Sequence, residues 1–212
     1  GNMKNNKFML KNIYIFFLVL FFSCYKETSI KIDVPDNFKK ELVEAALERT
    51  QKDITYDGRY FDIDYPSGDI PSNLGVCTDV IVRSFREVGI DLQKLVHEDI
   101  LMNFKKYPIK KHWPSQSKAD YNIDHRRVPN LEYFFSKHGK SLPVTENQEN
   151  YKPGDIITWN LMGSSPWHIG IVVDEVSSKT NNPLIVHNIG IGPVIDDVIF
   201  KYPIRGHYRF PK

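Results

Sequence analysis

Residues 75–85 read GVCTDVIVRSF, a glycine turn that runs directly into an amphipathic helix. This pattern predicts that Cys77 lies in the first helical turn. Backbone N–H groups without helical partners and the positive end of the helix dipole favour a thiolate there. Two histidines follow on predicted strands, His168 within WHIGIVV and His187 within LIVHN. A helix-start cysteine followed by two strand histidines is the layout of a cysteine hydrolase.

The order of the predicted elements indicates an α+β fold. Helical periodicity fills the first half of the chain, with helices opening after Asp36, at Cys77, at Asp91 and at Pro129. The second half predicts short strands at 155–159, 168–173, 184–189, 194–200 and 207–210. Helices followed by consecutive short strands favour N-terminal helices packed on an antiparallel sheet. Segments 54–75 and 108–128 are unusually long loops, which predicts opposite walls of one substrate cleft.

The N-terminus indicates export. Lys4, Lys7 and Lys11 precede an apolar run from 13 to 22, which is too short to span a membrane and typical of a signal peptide. Cys24 after Ser23 indicates a lipoprotein signal with lipidation at Cys24; the alternatives are an ordinary signal peptide or an uncleaved anchor. The predicted organisation is a signal peptide at 1–23, a linker at 24–35 and a single hydrolase domain at 36–212.

Composition limits the function classes. The chain has 28 basic and 26 acidic residues, and residues 1–23 contain three lysines and no acid. The remaining chain therefore has 25 basic and 26 acidic residues, a net charge of −1, which gives no argument for nucleic-acid binding. With Cys24 lipidated, Cys77 has no disulfide partner, which suggests a reactive thiol in an exported protein; the alternative is an inert buried cysteine.

The residue types assign roles to a triad. Cys77 is the predicted nucleophile and His168 the general base that takes the thiol proton. A third polar group must orient the imidazole. His187 and Asn188 face opposite sides of a strand, so only one of them can complete the site, and His187 is the predicted member.

Four segments resemble the NlpC-type cell-wall cysteine peptidases of the papain-like clan. They are GVCTD at 75–79, YKPGDIITW at 151–159, HIGIV at 168–172 and IVHN at 185–188. The chain is still more similar to an uncharacterised exported bacterial branch of that clan, through GVCTDV, NIDHRRVPN at 122–130 and HNIG at 187–190. The resemblance spans about residues 45–210. It implies a papain-like fold, amide hydrolysis at the envelope, and the roles given above for Cys77, His168 and His187.

The resemblance has departures. NlpC-type enzymes read Asp-Cys-Ser-Gly at the nucleophile, whereas this chain has Val76 before Cys77 and then Thr78-Asp79. This difference changes the cleft floor and leaves the substrate open. The family also carries a tyrosine on the oxyanion side shortly before the cysteine. Tyr56 and Tyr65 are the candidates, and packing roles are the alternative.

Charged and aromatic residues complete the predicted substrate site. Arg126 and Arg127 are expected to bind a substrate carboxylate, because an arginine fork matches a carboxylate at two points. The alternatives are a solvated charge run or a salt bridge to Asp124. Asp79 is expected to cap backbone amides or pair with one arginine, and Trp167 to lie beside the substrate.

We therefore expect a monomeric, lipid-anchored envelope enzyme, in the periplasm or on the cell surface, that hydrolyses an amide in peptidoglycan peptides without a metal or other cofactor. The alternatives are an acyl transferase of the same clan and a catalytically silent module that binds cell-wall peptides. A zinc site from Cys77, His168 and His187 is disfavoured, because the chain lacks paired ligand spacing such as Cys-x-x-Cys.

Overall fold

The computed structural model describes residues 30–161 and 167–212. The predicted signal peptide, Cys24 and residues 162–166 lie outside the described residues. The helices are α1 (Phe38–Arg49), α2 (Cys77–Glu87), α3 (Leu92–Asn103), α4 (Ile109–His112) and α5 (Val128–His138). The strands are β1 (Thr55–Tyr56), β2 (Leu74–Gly75), β3 (Lys140–Leu142), β4 (Ile156–Asn160), β5 (Trp167–Val176), β6 (Pro183–Asn188), β7 (Pro193–Asp196) and β8 (Ile204–Arg209).

The strands of the second half form a six-stranded sheet in the order β3-β8-β4-β5-β6-β7. Every neighbouring pair in this sheet is antiparallel. The predicted combination of helices with an antiparallel sheet is therefore confirmed.

Alternation along β5 divides the interior into two cores. Ile169 and Ile171 face the helices and join a cluster that includes Ile81 and Phe85 of α2. Val172 faces the other way and packs with Trp159 and others in a second cluster. Helix α2 is the central helix, since all nine residues from Cys77 to Phe85 are buried.

Local signals account for the helix boundaries. Gly89 follows α2 with a φ of +82°, a conformation that glycine adopts without steric cost. The Asp91 side chain accepts a hydrogen bond from the Lys94 amide at 3.2 Å and caps α3, as expected. Pro129 lies in the first turn of α5. Helix α1 begins one residue later than a cap at Asp36 would place it, with Asn37 at the N-cap position and no side-chain cap.

The two long segments are joined by hydrogen bonds. Segment 54–75 is closed at its base by β1 and β2, which pair in parallel with Tyr56 opposite Gly75. Asn122 of the second segment accepts a hydrogen bond from the Ile63 amide at 3.0 Å and donates one to the Tyr60 hydroxyl at 2.6 Å. The buried Asn122 side chain is thus satisfied by groups of the first segment, and the two segments contact each other directly. None of the helices in the described residues is long and apolar enough to cross a membrane.

Candidate active site

Cys77 opens α2 and is only 6% exposed. The Val76 backbone before it is extended, and its amide donates to the Asp79 carboxylate at 2.7 Å. Burial, with a smaller contribution from Asp79, raises the pKa of the Cys77 thiol to about 12, although the backbone amides of Ile169, Thr78 and Cys77 act in the opposite direction. The resting group is therefore a neutral thiol. The helix terminus alone predicts a thiolate, but desolvation outweighs it.

His168 and His187 are joined by a hydrogen bond between their rings. Nε2 of His168 lies 2.8 Å from Nδ1 of His187. The sheet register explains the contact, because His187 pairs with Gly170, two residues after His168 on β5. Burial, followed by the neighbouring His187, lowers the pKa of His168 to about 3, and burial also lowers that of His187. Both rings are neutral near pH 7.

The residue after His168 on β5, Ile169, relates this strand to the Cys77 thiol. The backbone amide of Ile169 favours the charged form of the Cys77 thiol, and α2 packs against β5. His168 and His187 lie on the face of the sheet that carries Trp159, Val172 and Ile185, whereas Ile169 and Ile171 face α2. The structure therefore brings the two histidines together but places them on the face of β5 and β6 opposite to α2, which corrects the expected contact of His168 with Cys77.

Gly170 is required by the close approach of β6. A Cβ atom added there would lie 2.6 Å from Cγ2 of Ile185 and 3.2 Å from Cβ of His187. A side chain of any size at this position would thus push against the strand that holds His187. The glycine of the HIGI motif has a packing reason that sequence reasoning did not identify.

Asn188 lies on the opposite side of β6 from His187, as strand alternation predicts. Its side-chain nitrogen donates to the Gly75 carbonyl at 3.4 Å, and its oxygen accepts from the Gly190 amide at 3.1 Å. Asn188 therefore connects the end of β6 to the turn before Cys77.

The structure distinguishes the two candidate tyrosines. The β1–β2 pairing brings Tyr56 beside the turn that precedes Cys77, and the charges of Cys77 and Asp79 both act on its hydroxyl. Burial is the main reason that the pKa of Tyr56 is raised to about 12. Tyr65 instead packs on His97 and Tyr121, at ring distances of 5.1 and 5.3 Å.

Arg126 is an internal residue, which corrects its expected place in a substrate clamp. Its side chain is 2% exposed and bonds both carboxylate oxygens of Asp79, at 2.9 and 3.0 Å. It also donates to the carbonyls of Asp57 and Arg59. The hydrogen bonds of this guanidinium all go to groups inside the protein. One of these groups is the buried Asp79 carboxylate, which would be costly to leave without a partner. Asp79 both caps the Val76 amide and pairs with an arginine, the two roles expected for it.

Arg127 belongs to an aromatic cluster. Its guanidinium stacks on Trp113 at 3.9 Å from the ring centre and contacts Gln116 and Asp124. The ring centres of Trp113 and Trp167 are 6.0 Å apart, and those of Trp167 and His112 are 4.6 Å apart. Trp167 packs against the cluster on the helix side of the sheet, so these half-buried residues lie on the same side of β5 as α2. Trp113 and His112 belong to no recognisable sequence motif, so the sequence did not predict their place in this cluster.

Within residues 30–161 and 167–212, no group of three or more histidine, cysteine or acidic side chains is arranged to hold a metal ion. The described part of the chain contains one cysteine, Cys77, and it is a free thiol.

The structure thus combines an α+β fold, a buried thiol at the start of α2 and a hydrogen-bonded histidine pair on β5 and β6. The chain belongs to the DUF1287 family, described as a domain of unknown function, which matches residues 43–210. It is 42% identical over 179 residues to the uncharacterized protein YijF of Escherichia coli strain K12, covering 84% of this chain and 85% of that protein.

Two crystal structures of an N-acetylmuramoyl-L-alanine amidase from Bacteroides uniformis are similar to part of this chain. They have TM-scores of 0.46 and 0.44 and sequence identities of 15% and 16%. Each match covers 81% of this chain and 98% of the other. Likenesses this weak establish neither a shared fold nor a shared activity.

Proposed function

We propose that the protein is a cysteine-dependent amide hydrolase of the bacterial cell envelope, with Cys77 as nucleophile, His168 as general base and His187 as the orienting residue. The observation that carries the proposal is the 2.8 Å bond between His168 and His187, on the two strands against which α2 and its first residue, Cys77, pack. A buried polar pair of this kind is stabilised by its mutual hydrogen bond and supplies the base and its support. The motif resemblance to NlpC-type peptidases supports a peptidoglycan peptide as substrate.

The neutral resting pair defines the first step. Near pH 7 the His168 ring is unprotonated, because burial lowers its pKa to about 3. The proposed step requires the ring to reach the Cys77 sulfur, and its protonation becomes favourable only as negative charge develops on the attacking group. Since burial also keeps the thiol protonated, proton transfer to His168 accompanies attack of the sulfur on the substrate carbonyl. His187 keeps the accepting ring in position through its hydrogen bond.

The first turn of α2 faces the developing oxyanion. Backbone N–H groups at a helix start are donors that need no reorganisation as charge develops. Tyr56 remains a phenol near pH 7 and can add a donor from the same side. Collapse of the intermediate expels the amine, which takes the proton from His168 and leaves a thioester. Water, deprotonated by His168, then attacks the thioester and releases the acid and the Cys77 thiol.

We also propose the cellular setting expected from the sequence. The chain acts as a monomer without a cofactor, exported to the envelope and held at the membrane by a lipid on Cys24. Its partners are then envelope peptides and the membrane, and not nucleic acid.

Purified peptidoglycan fragments, incubated with the wild type and with Cys77→Ala, test the function. Mass spectrometry of the products is the measurement. Hydrolysis adds one water across the cut amide, whereas an acyl transferase joins the acyl fragment to an amine. A silent binding module leaves the fragments intact but binds them. Wild-type products that also form with Cys77→Ala would remove Cys77 from the mechanism, and Cys77→Ser controls for the volume of the thiol.

A further inference from the structure

His187 has a second ring nitrogen that lacks a hydrogen-bond partner. The side chain is 1% exposed, and its Nε2 atom is buried with no partner. A buried N–H without an acceptor is costly, so its surroundings are informative. The nearest described carboxylate oxygen paired with it is Oδ2 of Asp196, at 3.8 Å, on a side chain that is 50% exposed.

The sheet register aims Asp196 at this nitrogen. Asp196 pairs with Ile185 and Val194 pairs with His187. Asp196 is therefore the diagonal neighbour of His187 on the same face of the sheet, within reach of its ring. Burial lowers the pKa of His187 overall, the charge of Asp196 opposes that shift, and Lys201 adds to it.

The hydrogen bond between the two rings couples their tautomers. For Nδ1 of His168 to accept the thiol proton, the proton of the resting ring must lie on Nε2. Nδ1 of His187 must then be the acceptor in the 2.8 Å bond, which puts the His187 proton on Nε2. In the opposite arrangement His187 donates, and the proton on Nδ1 of His168 blocks the base.

We propose that Asp196 is a positioning residue that holds His187 in the Nε2–H tautomer and so keeps Nδ1 of His168 free to accept a proton. The 3.8 Å separation is longer than a direct hydrogen bond. A small rotation of the half-exposed carboxylate, or one bridging water, closes it. Lys201 disfavours a positive charge on His187, so the ring stays neutral. Its role is then to fix which nitrogen of His168 carries the proton.

The tautomer can be read without a substrate. Long-range ¹⁵N–¹H NMR of the imidazole rings in the full chain reports which nitrogen carries each proton. We expect the Nε2–H form of His187 in the wild type, and a population shift toward Nδ1–H in Asp196→Ala and Asp196→Asn. Asp197→Asn is the matched control, because Asp197 bonds Thr180 and Asn182 on the same turn. A wild-type Nδ1–H form, or one tautomer unchanged in all variants, would overturn the proposal.

The catalytic consequence rests on the proposed function and is measured separately. On a confirmed substrate, Asp196→Ala should lower kcat roughly tenfold with little change in KM, less than the roughly 10²–10⁴-fold supplied by a general base. Asp196→Glu should restore most of it, since the longer side chain spans the gap. A wild type without hydrolytic activity would refute the proposed function but leave the tautomer result standing. An Asp196→Ala variant with full kcat would show that the contact does not position the base.

Discussion

The Arg126 guanidinium forms two hydrogen bonds with the buried carboxylate of Asp79, at 2.9 and 3.0 Å. The same carboxylate accepts from the Val76 amide. These bonds connect the turn before Cys77 to Arg126, which lies 47 residues after Asp79 in the chain. Arg126 acts on the site by fixing the start of α2.

Arg126→Ala should destabilise the protein by about 3–5 kcal/mol, because it leaves the Asp79 carboxylate buried without its partner. Denaturant unfolding gives the change in free energy. Arg59→Ala is the matched control, since the Arg59 side chain is 77% exposed in its pair with Asp57 and should cost only about 0–1 kcal/mol. An Arg126→Ala variant of wild-type stability with a raised KM would restore the substrate-clamp interpretation.

His168→Ala should lower kcat more than His187→Ala. In the proposed mechanism His168 accepts the proton, whereas His187 only orients the His168 ring. Loss of the base should cost roughly 10²–10⁴-fold. Turnover of folded protein on a confirmed substrate is the measurement. Asn188→Ala serves as the comparison, because it loses its bond to Gly75 but leaves both rings in place. If folded Asn188→Ala were as inactive as His168→Ala, Asn188 and not His187 would be the third member of the site.

Gly170→Ala should displace β6 and weaken the bond between the two histidines, because the added Cβ meets Ile185 at 2.6 Å. Overpacking of this kind typically costs about 1–3 kcal/mol. Thermal unfolding and the NMR signals of the imidazole rings measure the two effects. Gly58→Ala is the control, since its Cβ would lie 3.7 Å from Cγ1 of Val76, an ordinary contact. Equal behaviour of the two variants would contradict the packing role of Gly170.

The free energy of unfolding should fall as the pH drops from about 6.5 toward 4. His125 and His168 are buried, and burial lowers the pKa of each from 6.5 to about 3. The unfolded chain therefore binds protons in this range that the folded chain does not, so stability decreases with falling pH. Denaturant unfolding across this pH range is the measurement. His125→Gln should have a shallower slope, and a slope equal to that of the wild type would exclude His125.

Periodicity and punctuation predicted much of the fold. The apolar spacing after Cys77 and the glycine at 89 located α2, and the alternation around His168 located β5, which extends three residues beyond the predicted end at 173. The two-residue pair β1–β2 was missed, because two residues carry no period. That omission left the choice between Tyr56 and Tyr65 open, since only the pairing with Gly75 brings one of them to the thiol.

The roles of the charged residues could not be predicted from the residues next to them in the sequence. Arg126 follows Asp124 in sequence, yet its partner is Asp79 on another helix. Asp196 is likewise unremarkable in sequence and acquires meaning only from its diagonal place beside His187. Burial also reversed the expected charge state of Cys77, because desolvation depends on packing that no local motif specifies.

The enclosure of Cys77 has a chemical consequence of its own. Oxidants and disulfides react with exposed thiolates, and this sulfur is both enclosed and protonated at rest. In an oxidising compartment the chain can therefore carry an unpaired cysteine without rapid conversion to a sulfenic acid or a mixed disulfide. In the proposed mechanism the thiol becomes reactive only when His168 takes its proton, so its burial also protects the nucleophile from oxidative inactivation.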